Sequence, residues 1–203
     1  MSDSGACAAI VLAAGASTRL GQPKQLLQFD GESLLRRTVR LAAESGCMPI
    51  FVVLGFGADR MRQELHGLKI KPVLNPDWQS GMGSSLHCGI SAVMNETPPL
   101  PKALVLLCDQ PSLSAEILSS LLQTSKKKKS LITASSYAGR SGVPAIFDEQ
   151  LYPELLKVEG DQGARSIIQR YADQTSTVEF PGGIIDIDIP EDLRALASDK
   201  IRA

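Results

Sequence analysis

The residues of this chain best suited to chemistry are two cations close behind a glycine and a few carboxylates at the ends of apolar runs. Ile10-Val11-Leu12-Ala13-Ala14 reads as a buried strand and breaks at once into Gly15-Ala16-Ser17-Thr18-Arg19-Leu20-Gly21-Gln22-Pro23-Lys24. Small residues let a backbone approach a ligand, and Gly15 and Gly21 tolerate dihedrals that other residues avoid. Exposed N–H groups in such a turn make an anion-binding concavity, which Arg19 and Lys24 would reinforce with full charges. The chemistry expected is polyphosphate binding at the carboxyl end of a first strand. An ordinary strand-to-loop turn with two solvated cations has the same composition. The spacing is not that of a P-loop, because five residues separate Gly15 from Gly21 and Lys24 comes three after Gly21.

Asp109 ends the apolar run Ala103-Leu104-Val105-Leu106-Leu107-Cys108 and precedes Gln110-Pro111. A carboxylate there is costly if buried and unpaired, but suits a rim position holding a hard cation such as Mg²⁺ together with substrate phosphates. A helix-start carboxylate ahead of Pro111 and Ser112 is the competing reading. Near the end, Asp186-Ile187-Asp188-Ile189-Pro190-Glu191-Asp192 puts Asp186 and Asp188 on one side of a strand. Glu191 and Asp192 then suit the first turn of the next helix. A third candidate is Asn75-Pro76-Asp77-Trp78-Gln79-Ser80-Gly81-Met82-Gly83-Ser84-Ser85-Leu86. Gly81, Gly83 and paired serines opening a helix could bind an anion or a base edge through N–H groups. Equally, Ser84 could simply be an N-cap. Gly55-Phe56-Gly57 lacks the third glycine of a dinucleotide fingerprint and is not on the first strand, so it reads as a turn. His87 reads as a packing or surface residue, and no serine or cysteine has a histidine near it in sequence to form a nucleophilic triad.

Together these motifs carry a resemblance. Leu-Ala-Ala-Gly-x-Ser-x-Arg-x-Gly-x-x-Lys-x-Leu-Leu over residues 12–27 is similar to the signature of the MobA-like nucleotidyltransferases, and within them to the molybdenum cofactor cytidylyltransferases. Asp109-Gln110-Pro111, the Asn75 to Leu86 stretch and the Asp186 segment resemble further family motifs in the same order, with Ile189 where threonine is usual. The resemblance spans residues 10–196. It implies a Mg²⁺-dependent enzyme that moves a nucleoside monophosphate, CMP from CTP, onto the phosphate of molybdopterin with release of pyrophosphate. Arg19, Lys24 and Asp109 would be catalytic, and Asp109 and Asp188 would hold the metal. The nucleotide would meet Leu12, Ala13, Ala14, Gly15, Ser17, Arg19, Lys24, Asn75, Gly81, Gly83, Ser84 and Ser85. Gly139-Arg140-Ser141-Gly142-Val143-Pro144 and Gly160-Asp161-Gln162-Gly163-Ala164-Arg165 resemble the acceptor side of the family, and a molybdoenzyme or chaperone partner is implied. Within the same chemistry the nucleotide could be GTP, or the acceptor a sugar phosphate or methylerythritol phosphate. A non-catalytic cofactor-binding chaperone and, weakest, an NAD-dependent oxidoreductase are the readings from other classes.

These residues need a scaffold, and the hydropathy pattern supplies one. Apolar runs at 8–13, 49–54, 70–74, 102–108 and 130–135 alternate with amphipathic stretches at 33–45, 59–66, 84–94 and 114–124, with Gly46 stopping the first helix. Beyond them the pattern predicts a short strand at 142–147, helices at 149–157 and 163–171, strands at 177–180 and 184–187, and a helix from Pro190. Strand–helix alternation implies a single-domain α/β fold over 1–203, Rossmann-like and three-layered, with a mostly parallel sheet. Ligands in such sheets bind at the carboxyl ends of the strands, where Gly15, Asn75 and Asp109 all fall. With 203 residues, 43% hydrophobic, 4% aromatic and a net charge of −1, the composition argues against a nucleic-acid partner. Residues 6–16 lack the cationic flank of a signal peptide, and no apolar run approaches the roughly 18 residues of a membrane span. The four cysteines have no C-x-x-C spacing. They read as free thiols of a cytoplasmic protein.

Overall fold

The first apolar run becomes β1 (Cys7–Ala13), every residue of which is buried. A strand buried on both faces belongs inside a sheet with helices on each side, and that is its setting. The computed structural model describes residues 6–17 and 21–184. Among them seven strands form one sheet in the order β5-β4-β1-β6-β8-β7-β9. These are β4 (Ile50–Leu54), β5 (Lys71–Leu74), β6 (Lys102–Leu107), β7 (Ile132–Tyr137), β8 (Arg140–Asp148) and β9 (Thr175–Glu179) beside β1. All run parallel except β8, which is antiparallel to both its neighbours, β6 and β7. The mostly parallel α/β sheet expected from the sequence is therefore what forms.

Alternation along β1 divides the core. Cys7, Ala9, Val11 and Ala13 face one apolar cluster with Leu35, Val39 and Ala42 of α1 (Leu34–Glu44), Met61 of α2 (Ala58–Glu64), and Leu118 and Leu121 of α4 (Ala115–Lys127). Ala8, Ile10, Leu12 and Ala14 face the other, with Leu86, Ile90 and Val93 of α3 (Met82–Met94), Leu155 of α5 (Tyr152–Leu155), and Ile167 and Ile168 of α6 (Arg165–Arg170). The result is three layers. Helix α3 lies close on the sheet because a Cβ at Gly89 would stand 2.5 Å from Ile10 Cγ2.

The helix boundaries follow local chemistry. Ser33 caps α1 by accepting a hydrogen bond from Arg36 N at 3.1 Å, and Gly46 follows with φ +85°. Ser114 likewise caps α4. Three features depart from expectation. A short hairpin, β2 (Gln28–Phe29) with β3 (Glu32–Ser33), precedes α1. Strand β8 is nine residues long and joined to β7 by Ala138 and Gly139, both at positive φ. Helix α3 starts at Met82 rather than Ser84, with Gly81 before it. The strand expected at 184–187 and the helix from Pro190 lie outside the described residues, except that Ile184 ends a 3-10 turn (Pro181–Ile184). No described helix is long and apolar enough to cross a membrane.

Candidate active site

Strands β1 and β6 are neighbours in register, Leu12 opposite Leu107, so the turn after β1 and Asp109 after β6 emerge side by side. They border a cleft of about 380 Å³ at the carboxyl end of the sheet. Its lining includes Leu12, Ala14, Gly15, Ser17 and Lys24 on one side, Gly81, Met82 and Ser85 from the start of α3, and Asp109 and Asp161.

Lys24 Nζ donates to Asp109 Oδ2 at 2.5 Å, closing 85 positions of sequence into one ion pair. The pair is largely sheltered, with side-chain exposures of 24% and 13%. Asp109 Oδ1, by contrast, is buried and has no hydrogen-bond partner among the described residues. A buried carboxylate oxygen left unmatched is costly, and a hard cation prefers such an oxygen. The donor set therefore fits the Mg²⁺ implied by the resemblance at Asp109. No cluster of three His, Cys, Asp or Glu is found among the described residues, so a cation there would draw other ligands from phosphates and water. Arg19 and Asp188 lie outside the described residues.

The turn after β1 is held from below. Gln25, 2% exposed, donates from Nε2 to Ala13 O at 3.1 Å and to Gly15 O at 2.7 Å. Ser17, with φ +52°, accepts from Lys24 N at 3.1 Å, which ties the turn to the lysine. Ala14 O accepts from Phe56 N at 3.0 Å, so the Gly55-Phe56-Gly57 turn buttresses the wall. Phe56 stacks edge-on with Trp78, another lining residue, at 5.5 Å. Below the floor, Cys108 Sγ donates to Leu12 O at 3.5 Å. Burial pushes this thiol well above its ordinary range, the Asp109 carboxylate adding to the shift and Lys24 opposing it.

Four of the expected nucleotide contacts also have structural partners. Ala13 points its side chain into the core on the far face of the sheet. Asn75, 1% exposed, donates to Ser84 Oγ at 2.9 Å and Ser85 Oγ at 3.0 Å and accepts from Asp77 N, so its polar groups order the loop. Ser84 Oγ turns back to Gly81 O at 2.8 Å inside the first turn of α3. Gly83 N donates to Gly160 O at 2.8 Å, and a Cβ there would stand 2.5 Å from Val158 O. A Cβ at Gly81 would meet the same passing segment, 2.5 Å from Gly160 C. These glycines allow the 158–161 segment to press against the start of α3, which brings Asp161 to the cleft. Leu12, Ala14, Gly15, Ser17, Lys24, Gly81, Ser85 and Asp109 do border the cleft. The 139–144 segment forms the β7–β8 turn and the start of β8, reached from Asp109's neighbour by Gln110 Nε2 donating to Val143 O at 3.2 Å.

Sequence reasoning overlooked Gln25, which stood as an unspecified position between Lys24 and Leu26. Its surroundings are set by the third dimension and leave no local signal.

A family model, that of the MobA-like NTP transferase domain, matches residues 9–175, a stretch that includes all the described residues lining this cleft. The chain belongs to the MobA-like NTP transferase family. It is 33% identical over 170 residues, 79% of this chain and 80% of the other, to a protein of Paenarthrobacter nicotinovorans named nicotine blue oxidoreductase. It is 28% identical over 200 residues to purine catabolism protein PucB of Bacillus subtilis (strain 168), covering 90% of this chain and 92% of PucB. Among solved structures, Rv0371c of Mycobacterium tuberculosis H37Rv superimposes with TM-score 0.78 at 26% identity over 95% of this chain and 98% of that one. A nucleotidyl transferase from Methanothermobacter shares the fold, with TM-score 0.80 at 21% identity, covering 97% and 98%. As a MobA-like nucleotidyltransferase the protein is an enzyme of phosphoryl-centre chemistry.

Proposed function

We propose that this MobA-like transferase is a cytidylyltransferase that moves CMP from CTP onto the phosphate of molybdopterin, with Mg²⁺ as its metal and residues 1–203 as one catalytic domain. The observation that carries the reading is Asp109, one oxygen paired with Lys24 and the other buried and unmatched, at a cleft walled by the Gly15 turn. The choice of CTP and of a pterin phosphate rests on the resemblance of residues 12–27 and of the Asn75 loop to the cytidylyltransferase motifs. The Mycobacterium protein Rv0371c has itself been solved with manganese. A cytoplasmic setting and a molybdoenzyme or chaperone as recipient of the product complete the proposal.

In this reading the N–H groups of the Ala14 to Ser17 turn and the start of α3 hold the nucleotide. Lys24 neutralises phosphate charge, with Arg19 expected to assist. Asp109, with Asp188 as its expected counterpart, would hold the metal, which supplies positive charge where the phosphate oxygens gather it. An acceptor phosphate oxygen forms the new bond to the α-phosphorus in line, and the bond to pyrophosphate breaks. That oxygen is already nucleophilic at neutral pH, so no general base is required. The protein's work is positioning and charge stabilisation.

Calorimetric titration with CTP, GTP and NADH, with and without Mg²⁺, tests the proposal, followed by pyrophosphate release in the presence of molybdopterin. CTP should bind preferentially and only with the metal, and Asp109→Asn should lower turnover at least about 100-fold. Normal turnover by Asp109→Asn would refute the mechanism. The name of the Paenarthrobacter relative motivates one rival, an NAD-dependent oxidoreductase. NADH binding with no triphosphate binding would select it.

A further inference from the structure

Gln25 spends its polar capacity on the turn that walls the cleft. Its two amide hydrogens go to Ala13 O and Gly15 O at 3.1 and 2.7 Å, and its Oε1 accepts from Ser17 Oγ at 3.5 Å. The peptides after Ala13 and Gly15 are trans, since the cis bonds of the described chain all precede prolines. In a trans peptide the carbonyl and the following N–H point in opposite directions. By drawing in the carbonyls of Ala13 and Gly15, Gln25 therefore turns the N–H groups of Ala14 and Ala16 away from itself. The intervening peptide is fixed separately, by Phe56 N on Ala14 O. Gly15 has open space where a side chain would be, so without Gln25 little opposes rotation of the peptide that follows it.

We infer that Gln25 is a positioning residue that sets the polarity of the turn: its carboxamide holds two peptide groups with their N–H ends available to acceptor oxygens of the bound nucleotide. The inference rests on the nucleotidyltransferase reading above. A side chain that only accepts hydrogen bonds would do the reverse. In Gln25→Glu the carboxylate repels the Ala13 and Gly15 carbonyls and attracts N–H groups, so the flipped peptides present carbonyls to the nucleotide. Protonation restores one donor, and burial between carbonyls raises the pH at which this occurs.

The test is calorimetric measurement of Mg²⁺·CTP affinity for the wild type, Gln25→Met and Gln25→Glu between about pH 8 and pH 6. Two lost hydrogen bonds predict a fall of about 30-fold in Gln25→Met, independent of pH. Gln25→Glu should lose more than Gln25→Met at the upper pH, and the ratio of wild-type to Gln25→Glu affinity should shrink as pH falls. Mn²⁺ binding in the absence of nucleotide, which reads Asp109, should be unchanged in Gln25→Met, which adds no charge. A Gln25→Glu deficit that does not respond to pH, or affinities within about threefold of wild type in both variants, overturns the role assigned to Gln25. A wild-type protein that binds no triphosphate overturns the underlying reading instead. Should Gln25→Glu not fold, a Gln25→Met protein that binds CTP normally is sufficient to refute the inference.

Discussion

Lys24 and Asp109 neutralise each other in the cleft, and that has a sign that can be measured. A divalent cation approaching Asp109 meets a net-neutral pair with a cation already 2.5 Å from one carboxylate oxygen. Unit charges about 4 Å apart still interact by ~4 kcal/mol at an effective dielectric of about 20, so the lysine opposes the metal appreciably. A triphosphate changes the balance by offering Lys24 another partner and bringing negative charge of its own. Lys24→Gln should therefore tighten binding of Mn²⁺ alone, by about tenfold, while weakening CTP by at least as much. Titration of Mn²⁺ alone and of Mg²⁺·CTP checks both halves. A substitution that merely damaged the cleft would weaken both, so the opposite signs are the diagnostic. Metal and nucleotide should then bind best together, each raising the affinity of the other.

Among the elements, the start of α3 is the joint on which the cleft depends. Gly83→Ala would force a Cβ to within 2.5 Å of Val158 O and 2.9 Å of Glu159 Cα, both backbone atoms that cannot swing aside. A loss of about 2 kcal/mol is expected, read as a fall in Tm of roughly 4–8 °C. The variant should also lose CTP affinity, since Gly83 N–H to Gly160 O is what seats the Asp161 segment. This joint marks where the sequence ceased to be readable. Strands β1, β4 and β6 were legible because apolar runs of five or more residues are hard to place anywhere but inside a sheet. The position of Asp109 after β6 followed from the same logic. Hydropathy carries no direction, however, so the antiparallel course of β8 was hidden, and the two-residue strands of the β2–β3 hairpin are too short to show a period. Ser84 looked like an N-cap because serine commonly is one. In place its hydroxyl serves Gly81 O from within the helix, and Gly81 and Gly83 allow the close approach of residues 158–161, a packing role that no spacing announced. Gln25 was invisible because its partners, Ala13 and Gly15, become neighbours only when the turn folds back.

At the scale of the whole molecule, one sheet separates two apolar cores, and the cysteines are distributed between them at graded depth. Cys7 and Cys47 share the core beneath α1, 5% and 0% exposed, while Cys108, 4% exposed, lies below the cleft and Cys88 is partly open on α3. The hydrogen bond with Cys47 and burial push the Cys7 thiol upward, burial does the same to Cys108 and Cys88, and Cys7 draws Cys47 down, so access to the sulfur rather than thiolate character sets the order of reaction. Under native conditions a thiol reagent should modify Cys88 first and leave the other three intact, as mass spectrometry of the labelled protein would show. Early labelling of Cys47 would contradict the packing described. The protein thus carries its own clocks. Cys7 and Cys47 time the opening of the core beneath α1, whereas Cys108, in the same core but bonded to Leu12 O at the ends of β1 and β6, also times the opening of the cleft floor. A nucleotide seated on that floor should slow the Cys108 clock in proportion to its occupancy, so that an unlabelled ligand's affinity could be read from the rate at which one sulfur is trapped.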